Sequence, residues 1–235
     1  MSLYHRISHI YDDIFPLTDV KKGFFEEYFK NGNLNILDIG CANGRLSKYA
    51  ESFGNKVVGI DINEELLLEA ENIKNENIEF KKLDMLNVSQ AAEPESLDVI
   101  TCIGNTLPHL DDSDCISHFI SQCSKLLKPK GKMILQFVNF EGDTYDFPVI
   151  ENDNFAFFRE YIPDYFESKV EFNTRLIMKN TGQMFTDQTE LFPITFTKMQ
   201  MILDSNNLKI VNKFSNFNRD VVNKHTKSYI IIIEK

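Results

Sequence analysis

A short apolar strand that ends in an acid and then breaks through glycines constrains this chain more than any other feature. It reads Ile36-Leu37-Asp38-Ile39-Gly40-Cys41-Ala42-Asn43-Gly44-Arg45. A glycine turn between a strand and a helix lets a ligand touch the backbone and face the helix N-terminus. The next apolar run, Val57-Val58-Gly59-Ile60, ends in Asp61, 23 residues after Asp38, where a nucleotide-binding fold carries its ribose-binding acid. A third acid follows a third run in Lys82-Leu83-Asp84-Met85. There a carboxylate accepts from an adenine amino group while Met85 packs against the ring. Three neighbouring strands thus bring three carboxylates to one crevice, although each acid also has an ordinary role as a helix or turn cap.

Charge separates the nucleotide cofactors that such a crevice can take. A dinucleotide brings an anionic pyrophosphate that these carboxylates repel, whereas S-adenosylmethionine brings a sulfonium and an ammonium that they attract. The glycine spacing agrees, because a G-x-G-x-x-G fingerprint from Gly40 needs glycine at 42 and 45, where the chain has Ala42 and Arg45.

Hydrophobic period and breakers place these motifs in an α/β chain. Strands are predicted at Asn35–Ile39, Lys56–Ile60, Ile78–Lys82, Leu97–Ile103 and Lys132–Val138. Helices are predicted near Asn43–Phe53, over Asn63–Ile73 behind an asparagine cap, and over Ser113–Leu127, stopped by Pro129 and Gly131. After Phe140 the texture changes to three extended runs, Phe155–Tyr161, Val170–Lys179 and Phe185–Leu191. The last two are joined by the hairpin-turn composition Asn180-Thr181-Gly182. Then come a helix near Thr197–Ser205, a strand near Leu208–Phe214 and a final strand Ser228–Ile233. No repeat or linker interrupts the chain. The expected organisation is a single domain over 1–235, with a helical N-terminal segment over 1–30 and an inserted antiparallel lid over 141–193.

Composition excludes other classes. The 235 residues are 43% hydrophobic and 26% charged, enough apolar content for one buried core. The net charge is −10, and the five arginines (Arg6, Arg45, Arg159, Arg175, Arg219) are scattered, so no nucleic-acid partner is expected. Four cysteines without CxxC spacing point to reduced thiols. No apolar segment approaches a membrane span or a leader's core, and Tyr229–Ile233 is the longest purely apolar run. The expectation is a cytoplasmic protein without a membrane partner. His5, His9, His118 and His225 share no metal-ligand spacing with acids or thiols, so no metal is expected.

Asp38-x-Gly40-x-Ala42-x-Gly44, Asp61, Asp84-Met85 and the run Cys102-Ile103-Gly104-Asn105-Thr106-Leu107-Pro108-His109-Leu110 together resemble class I S-adenosylmethionine-dependent methyltransferases. Gly-Asn-Thr followed by His-Leu is similar to the corresponding segment of the glycine and sarcosine N-methyltransferase type. Tyr11-Asp12 with Phe15-Pro16 resembles the N-terminal segment of small-molecule members. The resemblance spans roughly residues 4 to 140. It implies a Rossmann-like, mostly parallel seven-stranded sheet with helices on both faces and an antiparallel last strand. It places the methionine part of the cofactor against Asp38, Gly40, Cys41, Ala42 and the Gly44 turn, and the ribose on Asp61. The adenine falls between Ile62 and Asp84-Met85, with Ile103-Gly104-Asn105 beneath the sulfonium. Ala42 departs from the commoner middle glycine of this turn.

The implied activity is methyl transfer to an N or O nucleophile of a small molecule. His109 lies in the loop where donor and acceptor would meet, Asn105 precedes it, and in the resemblance Tyr11 closes over the sulfonium end. These three are the candidate catalytic residues, each with a scaffold role as its alternative. Strand alternation puts Phe155, Phe157, Arg159 and Tyr161 on one face of the inserted sheet, an aromatic surface with one cation suited to an anionic group of the acceptor. Arg159 is equally readable as a solvated edge charge. Two alternatives stand beside it: a binding or regulatory protein without turnover, and an NAD(P)-dependent oxidoreductase, which the charge and the glycine spacing disfavour. Oligomeric state is not readable from the sequence.

Overall fold

The computed structural model describes residues 6–141, 147–164 and 169–235. Tyr4, His5 and parts of the expected N-terminal segment and lid lie outside the described residues. The chain begins with a 3-10 turn at Ser8–Ile10, then α1 (Tyr11–Ile14) and α2 (Asp19–Phe29). The βαβ succession follows: β1 (Asn35–Ile39), α3 (Arg45–Glu51), β2 (Lys56–Asp61), α4 (Glu64–Glu71), β3 (Ile78–Lys82), β4 (Leu97–Cys102), α5 (Ser113–Leu126) and β5 (Leu127–Val138). Four further strands, β6 (Ile150–Glu151), β7 (Phe155–Asp164), β8 (Lys169–Met178) and β9 (Met184–Leu191), precede α6 (Phe196–Ser205), β10 (Lys209–Phe214) and β11 (Ser228–Glu234).

Seven strands form one sheet in the order β10-β11-β5-β4-β1-β2-β3. β1 to β5 pair in parallel, and β11 runs antiparallel between β5 and β10. The sheet is buried on both faces, as a parallel sheet must be. Leu37, Ile39, Ile100, Leu135 and Ile231 face one layer, with Phe119 and Ile120 of α5 and Leu203 of α6. Ile36, Val57, Val99, Ile134 and Ile232 face the other, with Phe25 and Phe29 of α2 and Leu46 of α3. The apolar run Tyr229–Ile233 is therefore an inner strand that feeds both layers. No helix among the described residues is long and apolar enough to cross a membrane.

The strand order reverses at β1, which has β4 on one side and β2 on the other. A crevice opens at the carboxyl ends of the strands at such a switch point. The glycine turn after β1 and the carboxyl ends of β2 and β3 lie there.

The second sheet is antiparallel, in the order β6-β7-β8-β9. Phe155 and Phe157 pack with Ile7 and Ile14 of the N-terminal segment, and Tyr161 packs with Val138 at the end of β5. The N-terminal segment therefore lies between the two sheets. Several boundaries differ from the sequence reading by a few residues, and three differences have a local cause. β5 begins at Leu127, ahead of Pro129, because the helix stops as Leu127 turns extended (φ −69, ψ 137) and a residue before proline disfavours helix. The first βα helix is shorter than expected, since Gly44 occupies its N-cap position in the left-handed region. The two-residue β6 carries too few residues to show a period.

Candidate functional site

The turn after β1 is built by steric exclusion. Gly40 has φ +69, and a Cβ there would lie 2.5 Å from Oγ1 of Thr106. Gly44 has φ +76, and a Cβ there would lie 2.5 Å from the Phe80 ring. Ala42 also takes a positive φ, of 50°. Its backbone N–H donates to Asp61 Oδ2 at 2.9 Å, which ties the turn to the end of β2.

The acids have separate tasks. Asp38 is 3% exposed and accepts from the hydroxyls of Ser47 at 2.7 Å and Thr101 at 2.8 Å. Burial pushes its carboxyl upward in pKa, against the pull of these hydrogen bonds. It fastens β1 to α3 and β4 and does not reach the crevice. Asp61 accepts from Ala42 N with one oxygen and from Asn63 N at 2.8 Å with the other. Burial raises its pKa too, opposed by those amides, and each oxygen keeps a lone pair for a ligand hydroxyl. Asp84 accepts from Leu86 N at 2.8 Å and caps a 3-10 turn over Met85–Gln90.

A crevice of about 550 Å³ lies over these elements. Of the residues singled out in the sequence, Gly40, Ala42, Asp61, Ile62, Asp84, Met85, Ile103 and Gly104 line it, together with Tyr11 and His109. Asp38, Cys41, Gly44, Asn105 and Arg159 do not. Cys41 is buried beneath the turn, close to Gly59. Four aspartates (Asp61, Asp84, Asp111, Asp187) line the crevice, and no lysine or arginine does. Ile62 is 66% exposed at its edge, an apolar side chain positioned to be covered by a flat ring.

The loop after β4 is held from beneath. Gly104 and Asn105 both have positive φ, and their N–H groups donate to Oε1 of Gln136 at 2.7 and 3.2 Å. The Asn105 side chain accepts from Val138 N at 2.9 Å and hydrogen-bonds the Tyr161 phenol, so it joins β5 to the second sheet. Much of His109 is open to the crevice, yet its imidazole is desolvated enough to lie below the ordinary histidine pKa. It is therefore neutral at pH 7, as a base must be. Phe192 N donates to Pro108 O at 2.8 Å, which ties the end of β9 to the His109 loop.

Sequence reasoning missed a clasp. Asp12 accepts from Asn43 Nδ2 at 2.7 Å and pairs with Arg45 through Nε and a terminal nitrogen, both at 2.6 Å. It pins Tyr11, its neighbour, over the turn. The adjacency Tyr11-Asp12 was visible, but nothing local announces a bond spanning more than 30 residues. Asp187 and Thr189 of β9 were missed for the same reason.

Comparison with known proteins places this geometry. The sequence model of a family described as "Methyltransferase domain" matches residues 36–131. A ubiquinone biosynthesis O-methyltransferase of Stutzerimonas stutzeri is 29% identical over 154 residues, which are 63% of this chain and 65% of that protein. The match thus spans slightly less than two thirds of that relative. A crystal structure of an S-adenosylmethionine-dependent methyltransferase from Clostridium acetobutylicum superposes with a TM-score of 0.78 at 22% identity, covering 98% of both chains. The CcbJ methyltransferase from Streptomyces caelestis superposes with a TM-score of 0.83 at 16% identity, covering 99% of this chain and 97% of that one. The fold, including the second sheet, is shared with both.

Proposed function

We propose that this chain, whose residues 36–131 match the model of a family described as "Methyltransferase domain", moves the methyl group of S-adenosylmethionine to an N or O nucleophile of a small molecule. The observation that carries this reading is the charge of the crevice: among the described residues four aspartates line it, with His109 and no lysine or arginine. That donor set fits a ligand with a sulfonium and an ammonium and opposes one with a pyrophosphate. The glycine turn supports the reading as well, because Gly40 leaves room that a Cβ would fill. In this assignment Asp61 holds the ribose diol, Ile62 and Met85 flank the adenine, and Asp84 receives its amino group. Gly40, Ala42, Ile103 and Gly104 surround the methionine end.

S-adenosylmethionine, when bound, would supply an electrophilic methyl carbon whose carbon–sulfur bonding electrons would stay on sulfur as a neutral thioether when the acceptor's lone pair takes the methyl. The chain's own work is to bind, orient and exclude water. Tyr11, pinned by the Asp12 clasp, closes one side of the crevice, and the inner face of the second sheet, acting as a lid, closes the other. His109, neutral at pH 7, takes a proton from the acceptor nitrogen or oxygen. Asn105 acts as a positioning residue that sets the loop against the lid through Val138 and Tyr161. The buried, unpaired cysteines Cys41, Cys102 and Cys123 suit the reducing cytoplasm.

Calorimetric titration with S-adenosylhomocysteine, with NADH in parallel and Asp61→Asn as control, tests the assignment. Binding of the adenosyl ligand alone, weakened in the variant, supports it. At about 100 times its Kd the ligand adds roughly 2.7 kcal/mol of stability. Binding of NADH alone, or of neither, overturns it. Turnover of a labelled methyl donor with a metabolite extract then separates an enzyme from a protein that only binds the cofactor.

A further inference from the structure

We propose that the methyl acceptor carries an anionic group, a carboxylate or a phosphate, and that the guanidinium of Arg159 on the inner face of the lid binds it. The proposal rests on the methyltransferase reading above. Its starting point is an unpaired donor: Arg159 Nε is buried and has no hydrogen-bond partner, the one such side-chain atom among the described residues. A buried charged donor left unmade is costly, and native structures keep one where a ligand completes it. Arg45 and Arg219 are held by the carboxylates of Asp12 and Glu27, whereas no carboxylate among the described residues pairs with Arg159. Its neighbour is the Phe147 ring, 5.1 Å from the guanidinium carbon.

Register places this cation where an acceptor would lie. Arg159 stands opposite Thr174, and Thr174 opposite Asp187, so the three form one polar row across β7, β8 and β9 on one face. On one side of the row lie Phe157 and Leu176, both buried, and on the other the stacked rings of Tyr161 and Phe172, 4.7 Å apart. A cavity of about 1080 Å³ runs around the middle of these three strands, lined by Arg159, Thr174 and Asp187 and also by Glu160, Asn173 and Arg175 of the alternate face. Asp187 also lines the cofactor crevice, so the two spaces meet at that residue. Tyr161, two residues along the strand from Arg159 and thus about 7 Å away, contacts Asn105 beside the crevice residue Gly104. Asp187 lies two strands from Arg159, about 10 Å from backbone to backbone, and the two form no ion pair. A planar fork among aromatic rings, partly stripped of water, recognises a carboxylate or phosphate through two parallel N–H donors. Burial lowers the Arg159 pKa from its very high ordinary value, and a guanidinium stays charged at neutral pH nonetheless.

The test uses the full chain saturated with S-adenosylhomocysteine and titrated with malonate, with inorganic pyrophosphate and with the neutral malonamide. The wild type is expected to bind at least one of the two anions saturably and not malonamide. Arg159→Gln should weaken that binding roughly ten- to hundredfold, the range for a lost charge-assisted hydrogen bond, and Arg159→Lys should keep part of it. S-adenosylhomocysteine affinity and the thermal midpoint of both variants should match the wild type. Malonate alone identifies a carboxylate and pyrophosphate alone a phosphate. If neither anion binds, or if both bind Arg159→Gln as tightly as wild type, the proposal is overturned. Failure of S-adenosylhomocysteine to bind the wild type refutes the methyltransferase reading instead.

Discussion

The crevice at the ends of β1, β2 and β3 and the inner face of β7, β8 and β9 satisfy their polar groups in opposite ways. At the ends of β1, β2 and β3 each acid already has protein partners: Asp38, beneath the crevice, takes two hydroxyls, and of the crevice acids Asp61 takes two backbone amides and Asp84 a third. The site is pre-organised by its own backbone and waits only for ligand hydroxyls and a flat ring. On the antiparallel sheet the central cation keeps a donor unmade. On the proposed reading, the difference assigns cofactor recognition to turns and strand ends and acceptor recognition to individual side chains on a sheet whose pairing would tolerate others.

The comparison breaks most readily at the glycine turn. Gly44→Ala puts a Cβ against Phe80 at φ +76. It is expected to cost roughly 2–4 kcal/mol by chemical denaturation, as left-handed strain and overpacking add. A loss below about 1 kcal/mol would show that the turn yields easily and that the crevice is not pre-organised. Asp61→Asn comes next, with S-adenosylhomocysteine affinity falling about ten- to hundredfold, the worth of hydrogen bonds to a charged group. Because burial raises the Asp61 pKa, the wild-type affinity should fall with decreasing pH from a point above the ordinary carboxylate range, and the variant should lose that dependence.

Asp12→Ala removes the clasp on Tyr11 and is expected to weaken the same ligand about three- to tenfold. A double-mutant cycle with Arg45→Gln should give a coupling of about 0.5–1 kcal/mol, since the pair is partly exposed. Additive effects would detach the N-terminal segment from the cofactor site. The smallest effect is expected at His109. Burial lowers its pKa and favours the neutral imidazole, so kcat/KM should fall on the acid side. His109→Gln should lower kcat a few-fold and abolish that acid limb. An unchanged profile would return His109 to the scaffold.

Legibility followed the range of the interactions. Asp38, Gly40, Gly44 and Asp61 were readable because a strand end, a positive φ and a strand-to-strand spacing are local properties of a few residues. The alternation that put Phe155, Phe157, Arg159 and Tyr161 on one face was readable for the same reason, and the ladder with β8 preserves it. Asn105 read as a residue beneath the sulfonium. Its side chain instead reaches Val138 and Tyr161, because the left-handed backbone at Gly104 and Asn105 turns it away from the crevice.

By itself, then, the sequence determined the α/β succession, the acid-tipped strands and the acidic character of the crevice, since periodicity, turn chemistry and charge are written along the chain. Tertiary structure alone decided the rest. It buried Asp38 as a brace instead of a ligand contact, pinned Tyr11 through Asp12 and Arg45, and brought Asp187 to the crevice from β9. It also left Arg159 unpaired on a shared face. The Asp38 brace to β4 and the Asp12 clasp join residues 63 and 31 positions apart, and the cost of closing such loops is repaid only by the assembled core.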